Sequence, residues 1–255
     1  AQKAGYDGVE LHAAHSYMLI GSFLSPLRNH RQDEYAGRKF EGRIKLLLEV
    51  VANIRKKTGD DFPITVRLSG YERDSGGREI NDTQRLAPLL VEAGVDAFHV
   101  SGGVSDTNIT MIIPGAELQN GLNVSAARAI KQVVDVPVMV VGRIHTPQFA
   151  EALIADEHAD MVVMGRPLFA DPALPNKAQA GRVSDIRLCN SCEDCVDTIL
   201  ARIGVHCALN ARCGRETEFP LEPAATSKKV LVVGGGPVGM EAARLAVQRG
   251  HTVTL

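Results

Sequence analysis

Short apolar segments alternate with amphipathic segments along the first two thirds of this 255-residue chain. The apolar segments are rich in β-branched residues, as buried strands are, and lie at residues 8–13, 64–68, 97–100, 138–141 and 161–164. Between them, apolar residues recur at helical spacing in residues 42–57, 81–93 and 125–134 and in a segment opened by Thr146 and Pro147. Strands that alternate with helices over short connections predict βα units of an α/β fold with a parallel sheet.

Polar residues and glycines gather at the carboxyl ends of the predicted strands. They are His12, Arg67, Ser101, Gly102, Gly142, Arg143, Gly165 and Arg166. Ligands bind at this edge both in open α/β sheets and in (β/α)8 barrels. Five units are too few to close such a barrel, and the chain starts without Met and stops inside an apparent strand. We therefore expect a piece of a longer protein, namely the C-terminal part of a (β/α)8 TIM barrel preceded by three further units.

All five cysteines lie between residues 189 and 213, where the βα alternation is interrupted. Cys189, Cys192, Cys195 and Cys207 follow the pattern C-x2-C-x2-C-x11-C. Three closely spaced thiolates and a more distant fourth suit a [4Fe–4S] cluster, because one loop can then wrap a face of the cube. Zinc more often takes two separated pairs, and zinc or no metal stay open as alternatives. Cys213 is a bystander or a substitute for the fourth ligand.

Clustered cysteines indicate a metal site in a reducing compartment rather than scattered disulfides. The formal net charge is -2, which predicts no basic surface for nucleic acid or an anionic membrane. No segment has the apolar length of a membrane span, and no signal-peptide pattern is visible. We therefore expect a cytoplasmic protein that binds neither nucleic acid nor membrane.

A second glycine-rich pattern follows the cysteines. Gly234, Gly236 and Gly239 form G-x-G-x-x-G directly after an apolar run at residues 230–233, and a helical segment follows. Such a turn lets a pyrophosphate approach a helix N-terminus, so it predicts a dinucleotide site. An ordinary structural turn is the alternative. The acidic residue that would bind a ribose lies beyond Leu255, so the sequence leaves FAD and NAD(P) both open.

Two histidines and a tyrosine follow the first predicted strand in the segment HAAHSY, residues 12–17. Imidazoles can hold a carbonyl or phenolate oxygen, and a phenol can deliver a proton in a transition state. His12, His15 and Tyr17 are therefore catalytic candidates. A buried histidine with a packing tyrosine is the structural alternative, and a metal pair is less favoured because no third ligand accompanies it.

Arginines stand at the carboxyl ends of three of the predicted strands. Arg67 ends an apolar strand, where a guanidinium is costly unless it meets an anion. Gly142 with Arg143, and Gly165 with Arg166, stand where many (β/α)8 enzymes bind a phosphate through backbone amides and arginine. The alternative is that these are turn glycines with surface arginines.

Residues 5–17 (GYDGVELHAAHSY) and 23–35 (FLSPLRNHRQDEY) resemble the old yellow enzyme family of flavin-dependent ene-reductases. With the cysteines and the glycine pattern behind them, the whole chain is similar to the larger subfamily of 2,4-dienoyl-CoA reductase and trimethylamine dehydrogenase. This resemblance implies a partial FMN-binding barrel at residues 1–181, a [4Fe–4S] segment and linker at 182–227, and the start of a Rossmann-like domain for FAD or NAD(P) at 228–255.

The resemblance also implies residue roles. His12 and His15 would hold the substrate oxygen above FMN, and Tyr17 would be the proton donor. Arg67 would contact the flavin ring near N1 and O2. The FMN phosphate would be bound by Gly142, Arg143, Gly165 and Arg166, and the cluster by Cys189, Cys192, Cys195 and Cys207.

The chain departs from the family pattern in four places. The usual Tyr-Gly-Gly reads Tyr-Ala-Gly at residues 35–37, and the usual Glu-Asn-Arg reads Glu-Gly-Arg at residues 41–43. The third cluster cysteine, Cys195, comes one residue earlier than usual. The loop at residues 102–107 has no histidine, whereas 2,4-dienoyl-CoA reductases have a catalytic one there. These differences disfavour a 2,4-dienoyl-CoA reductase activity in the narrow sense.

The resemblance predicts an oxidoreductase that uses NAD(P)H, FAD, the cluster and FMN to reduce the C=C bond of an unsaturated carbonyl compound or CoA thioester. A first rival is an amine dehydrogenase that passes electrons from its substrate through FMN and the cluster to a carrier. A second is a non-catalytic electron relay or zinc scaffold. A homo-oligomer is compatible with each of them.

Overall fold

A computed structural model of the chain describes residues 1–105 and 109–255. It divides into two units, Ala1–Glu193 and Asp194–Leu255. The boundary falls inside the cysteine-containing stretch, between Cys192 and Cys195. The domain limits expected from the sequence, at residues 181 and 227, stay predictions.

One parallel sheet organises the first unit. Its strands are β1 Val9–Ala13, β2 Ile64–Ser69, β3 Ala97–Ser101, β4 Val138–Val141 and β5 Met161–Val163. Each strand pairs in parallel with the next one along the chain, in the order β1-β2-β3-β4-β5. This order contains no reversal, whereas a doubly wound sheet reverses at its switch point. The five predicted strands are therefore confirmed, in the arrangement of a barrel wall.

Helices connect the strands of the first unit. They are α1 Leu19–Leu24, α2 Phe40–Thr58, α3 Ile80–Glu92, α4 Val124–Lys131, α5 Pro147–Ala155, α6 Arg166–Ala170 and α7 Leu174–Gln179. The long predicted helices are present within three residues at each end. The hydroxyl of Thr146 accepts from the amide of Phe149 over 3.2 Å, which confirms Thr146 as the N-cap of α5. The short helices α1, α6 and α7 were not predicted, because five or six residues are too few to show a helical period.

The two faces of the sheet differ in chemistry because side chains alternate along a strand. Ile64, Val66 and Leu68 of β2 are fully buried, and Phe98 and Val100 of β3 are too, in the hydrophobic core shared with the helices. Burying each such side chain contributes about 1.5–3 kcal/mol. The intervening positions face the opposite side of the sheet, and there several of them are polar or charged.

The second unit is a shorter βαβ arrangement. It contains α8 Asp194–Leu200, β6 Lys229–Leu231, α9 Pro237–Gln248 and β7 Thr252–Thr254, and β6 pairs with β7 in parallel. The predicted strand, glycine turn, helix and strand are all present in this order. Across the part of the chain that the structure describes, no helix has both the length and the apolar character needed to cross a bilayer.

Candidate active site

The turn after β1 places two histidines and a tyrosine at the carboxyl edge of the sheet. His15 and Ser16 have left-handed backbone conformations, with φ of 64° and 59°. Each costs a residue with a side chain about 1–2 kcal/mol. Hydrogen bonds fix the turn: the amide of His15 donates to Oγ of Ser69 over 2.9 Å, and its carbonyl accepts from the amide of Ser105 over 3.1 Å. The last residue of β2 and the loop after β3 therefore hold the turn in place.

His12, His15 and Tyr17 form one cluster of rings. Nε2 of His12 lies 2.9 Å from the hydroxyl oxygen of Tyr17. The rings of His12 and His15 meet edge-on with centroids 5.6 Å apart, and those of His15 and Tyr17 are parallel with centroids 6.1 Å apart. His15 is 2% exposed and Tyr17 is 50% exposed. The structure thus brings the three catalytic candidates together, with the tyrosine on the open side.

Both histidines of the cluster are held neutral at physiological pH. Burial, reinforced by repulsion from Arg67 and His12, lowers the pKa of His15 to about 3. Burial and the charge of Arg67 also lower the pKa of His12 from its ordinary value. A neutral imidazole can donate one hydrogen bond to a substrate oxygen without adding a charge. The cluster can therefore orient an oxygen atom beside a phenol that donates a proton.

Arg67 lies next to this cluster on the polar face of the sheet. The register pairs His12 with Arg67 and Arg67 with His99. Nε of Arg67 is buried without a hydrogen-bond partner among the described residues. A buried donor without an acceptor is costly, so the site fits a ligand that offers acceptor atoms there. The N1 and O2 atoms of a flavin are acceptors of that kind.

A hydrogen bond between a histidine and a glutamate lies on the same face of the sheet. Nδ1 of His99 lies 3.0 Å from Oε2 of Glu10, and this hydrogen bond lowers the pKa of Glu10 despite the opposing effect of its partial burial. The sequence analysis did not single out either residue. The alternation along a strand was a usable signal, because it puts Glu10 on the same face as His12 and His99 on the same face as Ser101.

Two glycine–arginine pairs form a basic site at the ends of β4 and β5. Gly142 has φ of 133° and Arg143 has φ of 51°. A Cβ atom on Gly142 would lie 2.8 Å from Nδ2 of Asn123, so this position has no room for a side chain. The guanidinium of Arg143 donates to the carbonyl of Ala116 over 3.1 Å, and that of Arg166 donates to the carbonyl of Pro114 over 2.6 Å.

Further donors of these arginines lack acceptors. Nε of Arg143 and Nη1 of Arg166 are buried without a hydrogen-bond partner among the described residues. Burial, together with the charges of Arg166 and Arg143, lowers the pKa of His145 to about 4. Positive charges gathered around orphaned donors fit a phosphate, as predicted for Gly142, Arg143, Gly165 and Arg166. Their binding of FMN stays a prediction.

The cysteines fall on both sides of the boundary between the two units. Cys189 and Cys192 belong to the first unit, and Cys195, Cys207 and Cys213 belong to the second. All five are free thiols, the state that a thiolate ligand requires. Within the described residues, no group of three or more histidine, cysteine or acidic side chains is placed to hold a metal ion. Free thiols suit a cluster by their chemistry alone. The [4Fe–4S] ligand set of Cys189, Cys192, Cys195 and Cys207 stays a prediction.

Cys213 lies close to other thiols of the second unit. Burial raises its pKa to about 11, and Cys207, Glu216 and Cys195 add to this effect. The structure thus places both candidates for the fourth ligand, Cys207 and Cys213, in one neighbourhood. Cys213 is buried and Cys207 is partly exposed.

The glycine turn of the second unit has the predicted local form. Gly234 has φ of 110°, and Gly236 is the N-cap of α9. A Cβ atom on Gly239 would lie 1.9 Å from the carbonyl oxygen of Gly234, so only glycine permits this close packing. The binding of a dinucleotide by these glycines stays a prediction. The loop at residues 102–107, which lacks a histidine, is described only as far as Ser105, since residues 106–108 lie outside the described part of the chain.

Comparisons with known proteins place the chain among flavin oxidoreductases. The model of the NADH:flavin oxidoreductase / NADH oxidase family matches residues 1–185. The chain is 43% identical over 258 residues to NADH oxidase of Thermoanaerobacter brockii, covering 100% of the chain and 39% of that protein. It is 40% identical over 270 residues to cinnamate reductase of Clostridium sporogenes, covering 100% of the chain and 40% of that protein.

The chain is also similar to solved structures of two oxidoreductases. A 2-naphthoyl-CoA reductase complex matches with a TM-score of 0.90 and 36% identity, covering 98% of the chain and 38% of that protein. Histamine dehydrogenase from Rhizobium sp. 4-9 matches with a TM-score of 0.89 and 29% identity, covering 100% of the chain and 37% of that protein. The chain therefore spans about two fifths of the length of these relatives.

A parallel α/β sheet in barrel order, with orphaned donors at its carboxyl edge, defines the class: a TIM-barrel-like α/β fold with a ligand site at the carboxyl ends of its strands. Within that class the chain belongs to the NADH:flavin oxidoreductase / NADH oxidase family. The resemblance drawn from residues 5–17 and 23–35 is thereby confirmed, since the relatives include both reductases and an amine dehydrogenase.

Proposed function

We propose that the protein containing this chain reduces the C=C bond of α,β-unsaturated carbonyl compounds, of the enoate or dienoyl type, at the expense of NAD(P)H. The main support is the 2.9 Å contact between Nε2 of His12 and the hydroxyl of Tyr17, beside a neutral His15 and the orphaned donor of Arg67. Relatives named cinnamate reductase and 2-naphthoyl-CoA reductase support the substrate class, an unsaturated acid or CoA thioester.

The residues of the ring cluster have distinct roles in this reaction. His12 and His15 donate hydrogen bonds to the substrate oxygen and stabilise the negative charge that develops on it as the enolate forms. Tyr17 transfers its hydroxyl proton to the α-carbon, and solvent returns a proton to the phenolate because the ring is half exposed. FMN held beside Arg67 would supply the hydride for the β-carbon, and FAD and a [4Fe–4S] cluster would supply its electrons from NAD(P)H.

The cofactor sites are part of the proposal. Arg67 holds the flavin ring near N1 and O2, and Gly142, Arg143, Gly165 and Arg166 hold the FMN phosphate. Cys189, Cys192, Cys195 and Cys207 ligate the cluster, and Gly234, Gly236 and Gly239 hold the dinucleotide. The proposed domain limits are 1–181, 182–227 and 228–255. The free, clustered cysteines support a cytoplasmic location, and a homo-oligomer is compatible with the proposal.

The full-length protein tests this proposal directly. It should purify with a flavin and iron–sulfur absorption spectrum, with iron and two flavins on quantification. NADH or NADPH should reduce it anaerobically, and an α,β-unsaturated acid or its CoA thioester should then reoxidise it. An iron-free protein without flavin would contradict the proposal, as would a reduced enzyme that no such acceptor reoxidises.

A second candidate function is the oxidation of an amine. Histamine dehydrogenase matches with a TM-score of 0.89, and N,N-dimethylglycine/sarcosine dehydrogenase of Chromohalobacter salexigens is 38% identical over 261 residues. Anaerobic reduction of the flavin by a methylated amine, without NAD(P)H, would favour this function over the first. In that direction electrons leave through the cluster to a carrier.

A further inference from the structure

Residues 189–193, which include the first two cysteines, contact the basic site at the ends of β4 and β5, and both lie within the first unit. Oγ of Ser191 is 3.2 Å from Nε2 of His145. Oε1 of Glu193 is 4.0 Å from Nη1 of Arg166. The sequence separates these partners by 46 and 27 residues, so neither contact follows from local chain geometry.

Ser191 is a buried residue within residues 189–193. Ser191 is 2% exposed and has a left-handed φ of 57°. Its amide donates to Sγ of Cys189 over 3.4 Å, so the same residue contacts a proposed cluster ligand through its backbone and His145 through its side chain. Glycine would adopt this φ without cost. The backbone conformation would be satisfied by glycine, so it does not explain why residue 191 carries a hydroxyl group.

His145, the partner of Ser191, belongs to the basic site at the ends of β4 and β5. It follows Arg143 by two residues and precedes Thr146, the N-cap of α5. Its ring is neutral near pH 7 because burial and the two guanidinium groups oppose protonation. A neutral ring in this place contacts the hydroxyl of Ser191 without adding a charge beside the guanidinium groups of Arg143 and Arg166.

We infer that His145 and Ser191, together with the contact between Arg166 and Glu193, couple the binding of FMN to the loading of the iron–sulfur cluster. When the cysteines are ligated, residues 189–193 are held in one conformation, and their contacts then preorganise His145 and Arg166 around the phosphate site. Preorganisation lowers the cost of binding. By linkage, bound FMN favours retention of iron by the same factor. This inference rests on the proposed function, because it requires both cofactors.

The experiment uses the full-length protein and two readouts that do not depend on turnover. The first is the dissociation constant of FMN, from the quenching of its fluorescence, in iron-loaded protein and in protein treated with a chelator. The second is the rate at which a chelator removes iron with and without FMN. Iron should tighten FMN binding at least about fivefold, the lower end of typical coupling between sites. FMN should slow the loss of iron.

Substitutions at Ser191 and His145 test whether the contact between these two residues carries the coupling. Ser191→Gly removes the hydroxyl and suits the left-handed backbone, and His145→Ala removes the partner ring. Each should bring the ratio of the two dissociation constants close to one, and the double variant should differ little from either. His145→Gln, which keeps a hydrogen-bonding amide, should retain most of the coupling. Glu157→Gly is the matched control, because Glu157 is exposed and has φ of 56° far along the chain from the cysteines.

The outcomes separate this inference from the proposed function. Independent binding of both cofactors in the unmodified protein overturns the coupling and leaves the proposed function standing. Coupling that persists in Ser191→Gly and His145→Ala also overturns it, since the contact then has no part. Failure of the protein to bind FMN or iron at all overturns the proposed function and this inference together.

Discussion

The hydroxyl of Ser16 donates a hydrogen bond of 2.8 Å to the carboxylate of Glu72, and that carboxylate is 1% exposed. The same carboxylate accepts from the hydroxyl of Ser25 over 2.9 Å and from the amide of Arg78 over 3.0 Å. Ser16 sits between His15 and Tyr17 in the strained turn after β1. The buried carboxyl group of Glu72, in the loop after β2, thus ties the ring cluster to the end of α1.

Removing this carboxylate should destabilise the protein. Glu72→Ala leaves three buried donors without an acceptor, so we expect the free energy of unfolding to fall by about 2–4 kcal/mol. Chemical denaturation followed by circular dichroism measures this difference. Glu92→Ala, at an exposed position near the end of α3, is the control and should change stability by less than about 0.5 kcal/mol. Equal stability of the two variants would show that Glu72 does not hold the turn.

Replacing the proton donor should separate the two halves of the reaction. Tyr17→Phe removes the hydroxyl that lies 2.9 Å from His12, and reoxidation of the enzyme by the unsaturated substrate should slow about 10²–10⁴-fold. Reduction by NAD(P)H should keep its rate, because no proton from Tyr17 is used there. Stopped-flow spectroscopy follows both steps, and Tyr6→Phe, at a well-exposed position, is the control. Equal slowing of both steps would exclude this role for Tyr17.

The basic site at the ends of β4 and β5 should govern FMN affinity. Arg143→Ala removes a guanidinium whose buried Nε has no hydrogen-bond partner among the described residues, which predicts FMN binding weaker by about 10–100-fold. Fluorescence titration of the apoprotein measures this change. Arg128→Ala, an exposed arginine on α4, should bind FMN as the unmodified protein does. A phosphate site elsewhere would leave the affinity of Arg143→Ala unchanged.

Two serine substitutions should identify the fourth cluster ligand. We expect Cys207→Ser to purify with much less iron and weaker visible absorbance, because a hydroxyl is a poor ligand for iron in a cluster. Cys213→Ser should keep its iron, since Cys213 is a buried thiol whose raised pKa disfavours the thiolate. Iron analysis of both variants decides between them, and the reverse pattern would assign the fourth ligand to Cys213.

Acid should destabilise the apoprotein in a defined pH range. The pKa of His15 is about 3 in the folded state, compared with an ordinary value of 6.5, and that of His145 is about 4. Below pH 6.5 the two histidines take up protons in the unfolded chain but stay neutral in the folded chain. The free energy of unfolding is therefore highest above pH 6.5 and falls as the pH drops toward 4. Each histidine contributes at most about 1.4 kcal/mol per pH unit.

Denaturation midpoints measured between pH 7.5 and pH 5 test this expectation. His15→Asn should flatten the dependence, because asparagine does not titrate, whereas His30→Asn at an exposed position should leave the slope as it is. An unchanged slope in His15→Asn would show that this histidine is protonated as readily in the folded protein as in the unfolded one.

The alternation of strand and helix was readable from the sequence because hydrophobic period is a local property of the chain. The five strands of the first unit, the N-cap at Thr146 and the glycine at position 239 each depend on residues only a few positions apart. The edge at which His12, Arg67, Arg143 and Arg166 gather followed from the rule that parallel strands end on the same side. Family membership also rested on short segments of contiguous residues.

The contacts that support the site were decided by tertiary structure. Ser16 and Glu72 are 56 positions apart, Glu10 and His99 are 89 apart, and His145 and Ser191 are 46 apart. Nothing in the local pattern around Glu72 or Ser191 distinguishes them from surface residues, since their burial depends on which loops the sheet brings side by side. The sequence by itself determined which residues stand at the edge of the sheet. The register of the strands and the packing of the loops decided which of them touch, because hydrogen bonds between distant segments form only once the sheet has assembled.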